Sequence, residues 1–235
     1  MFDLIETVTP KGAYGEFYVS RILNTLDKQW YKVINNVTIR NKHTGNLSQI
    51  DHVIVSIFGV YVIETKNHKG SITGDSDDLL WKQHLEDSFR EMYSPVRQNI
   101  GHIRALESIL GRGICYFPII CFLNTTSLLT TSDDNTPVIF ADNLYDEIVK
   151  HRYMIYMLGE VDDMVRLIQS ENIRDEEVLK EHREYLKNLI RSKSKPVCCP
   201  KCGSVAVLRT PDDIPRFCSL FPNCKSQYEE SGIDV

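Results

Sequence analysis

Two β-branched runs meet across a turn at Phe58-Gly59, and three charged side chains lie inside them. The runs are Gln49-Ile50-Asp51-His52-Val53-Ile54-Val55-Ser56 and Gly59-Val60-Tyr61-Val62-Ile63-Glu64-Thr65-Lys66, the pattern of a buried hairpin. A strand reverses its side-chain direction at every residue, so Glu64 and Lys66 point to one side of the sheet. Asp51 comes from the partner strand, close enough across a tight turn to meet them. His52 alternates to the other face and stays outside the set. Carboxylates and a lysine in an apolar hairpin are costly unless something such as a metal ion compensates them.

Carboxylates beside a lysine suit metal-assisted phosphodiester hydrolysis. Mg²⁺ prefers hard oxygen ligands and keeps several waters, so one or two carboxylates hold it. The ion polarises the phosphoryl oxygen, lowers the pKa of a bound water and offsets developing charge. A lysine alongside stabilises the transition state or places the attacking water. Asp51, Glu64 and Lys66 supply this set. In isolation Glu64 and Lys66 would read as a plain ion pair; the apolar flanks and Asp51 tip the reading towards an active site.

With 235 residues, 42% hydrophobic and 25% charged, the chain has the composition of a globular protein with one main domain and an appendage. Met1-Phe2-Asp3-Leu4-Ile5-Glu6 has no basic, apolar leader pattern, so no signal peptide is expected. No apolar run approaches the roughly 18–20 residues that span a bilayer. A cytoplasmic location without membrane contact is the expectation. Net charge is −5, but Lys180–Lys225 holds ten Lys/Arg against four Asp/Glu, a local +6 that leaves −11 elsewhere. A basic end on an acidic body is compatible with nucleic-acid contact through one module; a solvated charged helix and linker explain it equally well.

Helices are predicted over residues 12–29 (apolar stripe Phe17, Ile22, Leu23, Leu26), 95–110 (Ile100, Ile103, Leu106, Leu110), 143–151 capped by Asp142, 159–169 and 175–191. Strands are predicted at 30–39, in the hairpin, at 116–123 and at 137–140. Gly70–Gly74, an acidic loop at Asp75–Asp78 and a short piece around Trp81 lie between. Ser192-Lys193-Ser194-Lys195-Pro196 reads as a linker. His43, His68, His84 and His102 show no ligand spacing and read as surface or core residues. The body is α/β with a mixed central sheet.

Of seven cysteines, Cys115 and Cys121 flank an apolar run and act as small hydrophobes, while five crowd between 198 and 224. Cys199-Pro200-Lys201-Cys202-Gly203 is a zinc-knuckle turn, and Cys218 and Cys224 supply a second pair. Four thiolates in two local pairs around a short hairpin fit tetrahedral Zn²⁺, which would fold a segment too small for its own core. Cys198 is a spare thiol; the Cys-Pro-x-Cys pattern favours Cys199.

The ordered set Gly15-Glu16, Gln49–His52, Gly59–Asn67, Gly70 with Ile72 and Gly74, Trp81, and Ser94-Pro95-Val96-Arg97-Gln98-Asn99 resembles the nuclease-related domain (NERD), a branch of the PD-(D/E)XK phosphodiesterases. The resemblance covers roughly Lys11 to Leu123. It implies a restriction-endonuclease-like core with a mixed central sheet flanked by helices. It implies that Asp51 and Glu64 bind Mg²⁺ or Mn²⁺, that Lys66 is the catalytic lysine, that Glu16 reaches the metal site from its helix and that Gln98 supports it. A glutamate on an exposed helix face is otherwise an ordinary solvated residue.

The stretch from Cys198 to Gln227 resembles the four-cysteine zinc domain at the C-terminus of type IA topoisomerases. That likeness implies binding of single-stranded DNA, with Phe217 and Phe221 as stacking platforms and Arg209, Arg216 and Lys225 as phosphate contacts. Asp212-Asp213 in the intervening loop depart from the usual pattern, and a purely structural zinc ribbon is the plain alternative.

The expected organisation is a nuclease-like core over 1–141, its helical C-terminal part over 142–191, a linker at 192–197 and a zinc ribbon over 198–235. The expected function is that of a prokaryotic, metal-dependent DNA nuclease whose zinc ribbon binds or orients DNA. The alternatives are a non-catalytic nucleic-acid-binding or partner-recruiting module in DNA repair or phage defence, or a nuclease acting on RNA. The helices after Asp142 either cover the sheet or form a homo-oligomer or partner interface.

Overall fold

The computed structural model describes residues 10–131, 135–191, 206–208 and 215–218. The chain divides into two compact units, Met1–Lys187 and Asn188–Val235. Among the described residues of the first unit, seven strands form one mixed sheet: β1 (Tyr31–Arg40), β2 (Leu47–Ser56), β3 (Gly59–Asp75), β4 (Leu80–Leu85), β5 (Ser88–Tyr93), β6 (Tyr116–Thr131) and β7 (Val138–Phe140). The first five are antiparallel neighbours in chain order, whereas β6 runs parallel to β3 and β7 parallel to β6. The helices are α1 (Pro10–Leu23), α2 (Pro95–Leu110), α3 (Leu144–Val149) after a 3₁₀ turn at Ala141–Asn143, α4 (Leu158–Glu171) and α5 (Glu176–Arg191). No helix among the described residues is long and apolar enough to cross a membrane.

Helices cover both faces of the sheet, which is why its central strands are apolar in unbroken runs. On one face Ala105, Leu106 and Ile109 of α2 and Val161 and Ile168 of α4 pack on Val53, Val55, Val60 and Val62. On the other, Val19 and Leu23 of α1 and Leu144 and Ile148 of α3 pack on Ile54, Tyr61, Ile63 and Ile119. A third cluster around Ile72, Trp81, Met92, Val96 and Phe122 closes the end of the sheet made by β4 and β5. Indole and phenyl rings of Trp81 and Phe122 lie nearly parallel there, 6.4 Å apart.

β3 is the axis of the molecule. Its first half is flanked by β2 and β6, its second half by β4 and β6. Gly70 makes the change of partner possible: it sits at a register shift with φ +82°, and a Cβ there would lie 2.0 Å from the His84 carbonyl oxygen. The β4–β5 hairpin goes beyond the predicted short piece around Trp81. Its inner face mixes Trp81 and Met92 with buried Gln83, whose amide donates to the Lys69 carbonyl, so the apolar alternation is too broken to read.

Four further expectations are corrected. α1 stops at Leu23 rather than running to Gln29, because Thr25 and Asp27 bond locally: Thr25 Oγ1 donates to the Ile22 carbonyl, and Asp27 Oδ1 accepts from the Gln29 amide. Phe17, assigned to its apolar stripe, is 61% exposed, and Val19, Leu23 and Leu26 are the buried positions. Asp142 does not cap α3; it lies within the 3₁₀ turn and accepts from the Tyr18 hydroxyl. β6 continues past Leu123 to Thr131 because the second half of β3 offers it a partner.

Beyond the end of α5, the second unit's described residues are two short antiparallel strands, β8 (Ala206–Leu208) and β9 (Pro215–Cys218), with Ala206 opposite Cys218. Cys199, Cys202, Cys224, Arg209, Phe221 and Lys225 lie outside the described residues; Cys218, Arg216 and Phe217 fall within β9.

Candidate active site

The β2–β3 ladder runs from Ser56 opposite Gly59 to His52 opposite Ile63 and ends there, one residue short of Asp51 and Glu64. β2 continues back to Leu47 paired with β1 alone. The two strands thus fork where the charged residues stand. Ile50 and Val53 face the same cluster, so the strict alternation of β2 is interrupted between them. On β1 the matching pairs Asn35–His52 and Val37–Ile50 bracket Asn36, which takes a left-handed φ of +55°. A fork and a twist at one level open the sheet, so side chains from helices on both faces reach a common place.

Glu64 and Lys66 are buried at 2% exposure each and form an ion pair, Lys66 Nζ to Glu64 Oε1, of 2.9 Å. Lys66 Nζ also donates to Gln98 Oε1 at 3.2 Å. The second Glu64 oxygen, Oε2, lies 3.0 Å from His102 Nε2, and His102 Nδ1 lies 2.7 Å from Ser48 Oγ. Burial by itself would raise the Glu64 carboxyl, but Lys66 and His102 outweigh it and hold Glu64 below the ordinary carboxylate range. Gln98 and His102 stand one turn apart on α2. Ser94 caps that helix by accepting from the Arg97 amide, Pro95 follows in its first turn, and Asn99 Nδ2 donates to the Val62 carbonyl at 2.8 Å, tying α2 to β3.

Asp51 Oδ2 accepts from the Thr65 amide at 2.8 Å, a bond that replaces the ladder pairing lost at the fork. Burial, then Glu64 and Glu16, push Asp51 well above the ordinary carboxylate range; the Thr65 amide and Lys66 pull the other way. α1 packs on β3 beside the site from the opposite face of the sheet, with Gly15 against Thr65 and Asn67. Gly15 allows this approach, since a Cβ on it would lie 3.0 Å from Asn67 Cβ and 3.4 Å from Thr65 Cγ2. Gly15→Val is therefore expected to push α1 off β3 and carry Glu16 with it. It should destabilise the fold by about 1–3 kcal/mol, read as a lower urea midpoint. A midpoint equal to that of the unaltered chain would show that α1 tolerates the bulk.

A sequence model of the nuclease-related domain matches residues 11–123, the stretch holding α1, the whole β1–β5 run, α2 and the buried part of β6. An uncharacterized protein of Bacillus anthracis is 31% identical over 180 residues, which is 76% of this chain and 84% of that protein. The chain belongs to the nuclease-related domain family. No solved structure matches.

Within this nuclease-related domain, Asp51, Glu64, Lys66 and Gln98 come from β2, β3 and α2 and meet at the fork, and the charge of Glu16 on α1 acts on Asp51. His52 lies apart from them, its Nδ1 2.8 Å from Asn35 Oδ1, and burial pushes its imidazole down to about 4. Cys121 is buried beside β3, its thiol pushed up to about 12 by burial, as a small core residue would be.

His102 is the site residue that sequence reading misses. The available signal is its spacing, four residues after Gln98, which puts both on one face of α2. That inner face is Val96, Asn99, His102, Ala105, Leu106 and Ile109; of the predicted stripe, Leu106 is buried and Ile103 and Leu110 pack against the core, while Ile100 is 39% exposed. Asn99 and His102 occupy core-facing positions because the helix crosses the site there.

Among the described residues no three His, Cys, Asp or Glu side chains form a ready-made metal cage. The donor set is instead two hard carboxylates, Asp51 and Glu64, with Glu16 nearby. That set fits Mg²⁺ or Mn²⁺, which need few protein ligands, and does not fit a four-ligand structural zinc. After burial, the negative charge of Glu64 and Glu16 raises the Asp51 carboxyl, and a cation would offset that charge.

Proposed function

We propose that this chain is a PD-(D/E)XK-type nuclease that hydrolyses DNA phosphodiester bonds with Mg²⁺ or Mn²⁺, held by Asp51 and Glu64. The supporting observation is the placement of Lys66. Its ammonium is withdrawn from water, fixed between Glu64 Oε1 and Gln98 Oε1, and shares a fork with Asp51. A domain that only bound nucleic acid would leave its lysines on the surface, where phosphate contacts need them.

Hydrolysis forms a P–O bond to water and breaks the P–O bond to the leaving oxygen, with negative charge growing on the non-bridging oxygens. Bound at the two carboxylates, the metal supplies Lewis acidity that offsets this charge. Lys66 holds a fixed positive charge beside it and donates a hydrogen bond to the transition state or to the attacking water. Gln98 holds the ammonium in place, and Glu16 adds an acceptor from α1. In the second unit, Cys199, Cys202, Cys218 and Cys224 bind Zn²⁺ in this reading. Arg209, Arg216 and Lys225 contact phosphates, and Phe217 and Phe221 stack on bases of single-stranded DNA.

The test is a panel of single-stranded, duplex and branched DNA and of RNA, with Mg²⁺, Mn²⁺ or EDTA. Cleavage of DNA that needs either metal and stops in EDTA is the expected result. Tight binding without cleavage across all metals and substrates would instead establish a recruiting module, and preferential cutting of RNA would reassign the substrate. Stoichiometric zinc, lost together with single-strand affinity in Cys199→Ser, is expected of the cysteine module.

A further inference from the structure

We propose that His102 is a positioning residue: it fixes the plane of the Glu64 carboxylate for the cation, and Ser48 in turn fixes the His102 ring. The inference rests on the nuclease reading for the cation, and on geometry alone for the contact. Glu64 presents four lone-pair positions. Lys66 takes one on Oε1 at 2.9 Å and His102 takes one on Oε2 at 3.0 Å. An ammonium on a flexible stem is a point charge and leaves a carboxylate free to rotate about it. A second donor on the other oxygen stops that rotation while leaving lone pairs open to a ligand.

The ring's proton is assigned by its partners. A carboxylate only accepts, so Nε2 carries a proton and donates to Glu64, and Nδ1 pairs with the Ser48 hydroxyl 2.7 Å away. Ser48 belongs to the part of β2 that has left β3, paired with Ile39 of β1. The chain Ser48–His102–Glu64 therefore joins the two prongs of the fork through a residue of α2. His102 is 6% exposed, and Asn99, which donates to the Val62 carbonyl, keeps its helix from sliding. Partners that orient a metal-ligating side chain typically account for 10–100-fold in metal affinity or activity.

The experiment compares the full chain with His102→Leu, which removes the donor, and His102→Gln, which restores one. Mn²⁺ binding without nucleic acid is followed by electron paramagnetic resonance, and the metal-free histidine tautomer by long-range ¹H–¹⁵N spectra. His102→Leu should bind Mn²⁺ about 10–100-fold more weakly, with cleavage lowered in kcat and an unchanged KM for DNA, and His102→Gln should recover most of both. The metal-free chain should show a proton on His102 Nε2, with a signal moved by Glu64→Gln. A folded His102→Leu chain with unaltered Mn²⁺ affinity overturns the proposal, as does an Nδ1–H tautomer. Should His102→Leu not fold, Ser48→Ala decides: a several-fold loss of Mn²⁺ affinity supports the proposal and an unaltered affinity overturns it. Failure of the nuclease reading is distinct: the unaltered chain would then bind no Mn²⁺, overturning the cation role, and the tautomer would still decide the contact.

Discussion

Replacing Lys66 with alanine is expected to lower the rate of DNA cleavage by at least about 10²–10³-fold, the effect of removing one preorganised electrostatic donor. The same change should destabilise the fold. Lys66 and Glu64 are both buried, and removing one member of a buried pair leaves the other charge uncompensated, at about 3–5 kcal/mol. His102 still donates to Glu64, so the lower end of that range is expected. The pH dependence follows from Glu64, whose carboxyl lies below its ordinary value of 4.5 in the fold. A depressed carboxyl stabilises the native state above the unfolded pKa, and that stability is lost as pH falls through the folded one. The stability gap between the unaltered chain and Lys66→Ala should therefore be widest near neutrality and close below about pH 4.5. Denaturant titrations between pH 3 and 8 read the gap, and Lys66→Met, which keeps the stem, separates lost packing from lost charge. Undiminished cleavage by a folded Lys66→Ala chain would remove the lysine from the mechanism.

Asp51→Asn should act in opposite directions on activity and stability. Cleavage should fall to background, because a neutral amide lacks the negative charge with which one or two carboxylates hold Mg²⁺. The metal-free fold should become more stable. Burial and the carboxylates of Glu64 and Glu16 raise the Asp51 pKa in the fold, so between the unfolded value of 3.8 and the folded one the native state binds more protons. Stability falls with rising pH over that window, so above the unfolded value the Asp51 carboxyl works against folding. Asparagine lacks the charge, and its Oδ1 still accepts from the Thr65 amide. Each kcal/mol so relieved should raise the Tm by about 2–4 °C. Adding Mn²⁺ should raise the Tm of the unaltered chain and leave Asp51→Asn unmoved. A lower Tm for Asp51→Asn without metal would show that the carboxylate is favourably placed in the absence of a cation. Function that is held at the expense of stability is the usual condition of an active site.

Much of the fold is legible along the chain because its signals are local. The hairpin shows as two β-branched runs about a turn, and α2 is bounded as predicted by Pro95 and Leu110. Elements whose apolar residues find partners only at a distance are not legible. The β4–β5 hairpin and the outer half of β6 are polar or mixed, and they are strands because β3 is long enough to pair with them.

The same division runs through the site. Asp51, Glu64 and Lys66 are determined by the sequence itself, since the period of two along a strand sets Glu64 and Lys66 on one side and the hairpin brings Asp51 across. That these residues stand at a fork was decided by tertiary structure: β2 leaves β3 after the His52–Ile63 pair, and Asn36 twists at the same level. No local pattern encodes the end of a ladder, because it depends on which strand β3 takes next. His102 likewise reads in sequence as one histidine among seven. Only the packing of α2 against that fork sets its two nitrogens between Ser48 and Glu64, because a hydrogen bond needs both partners in place and their positions come from three separate elements.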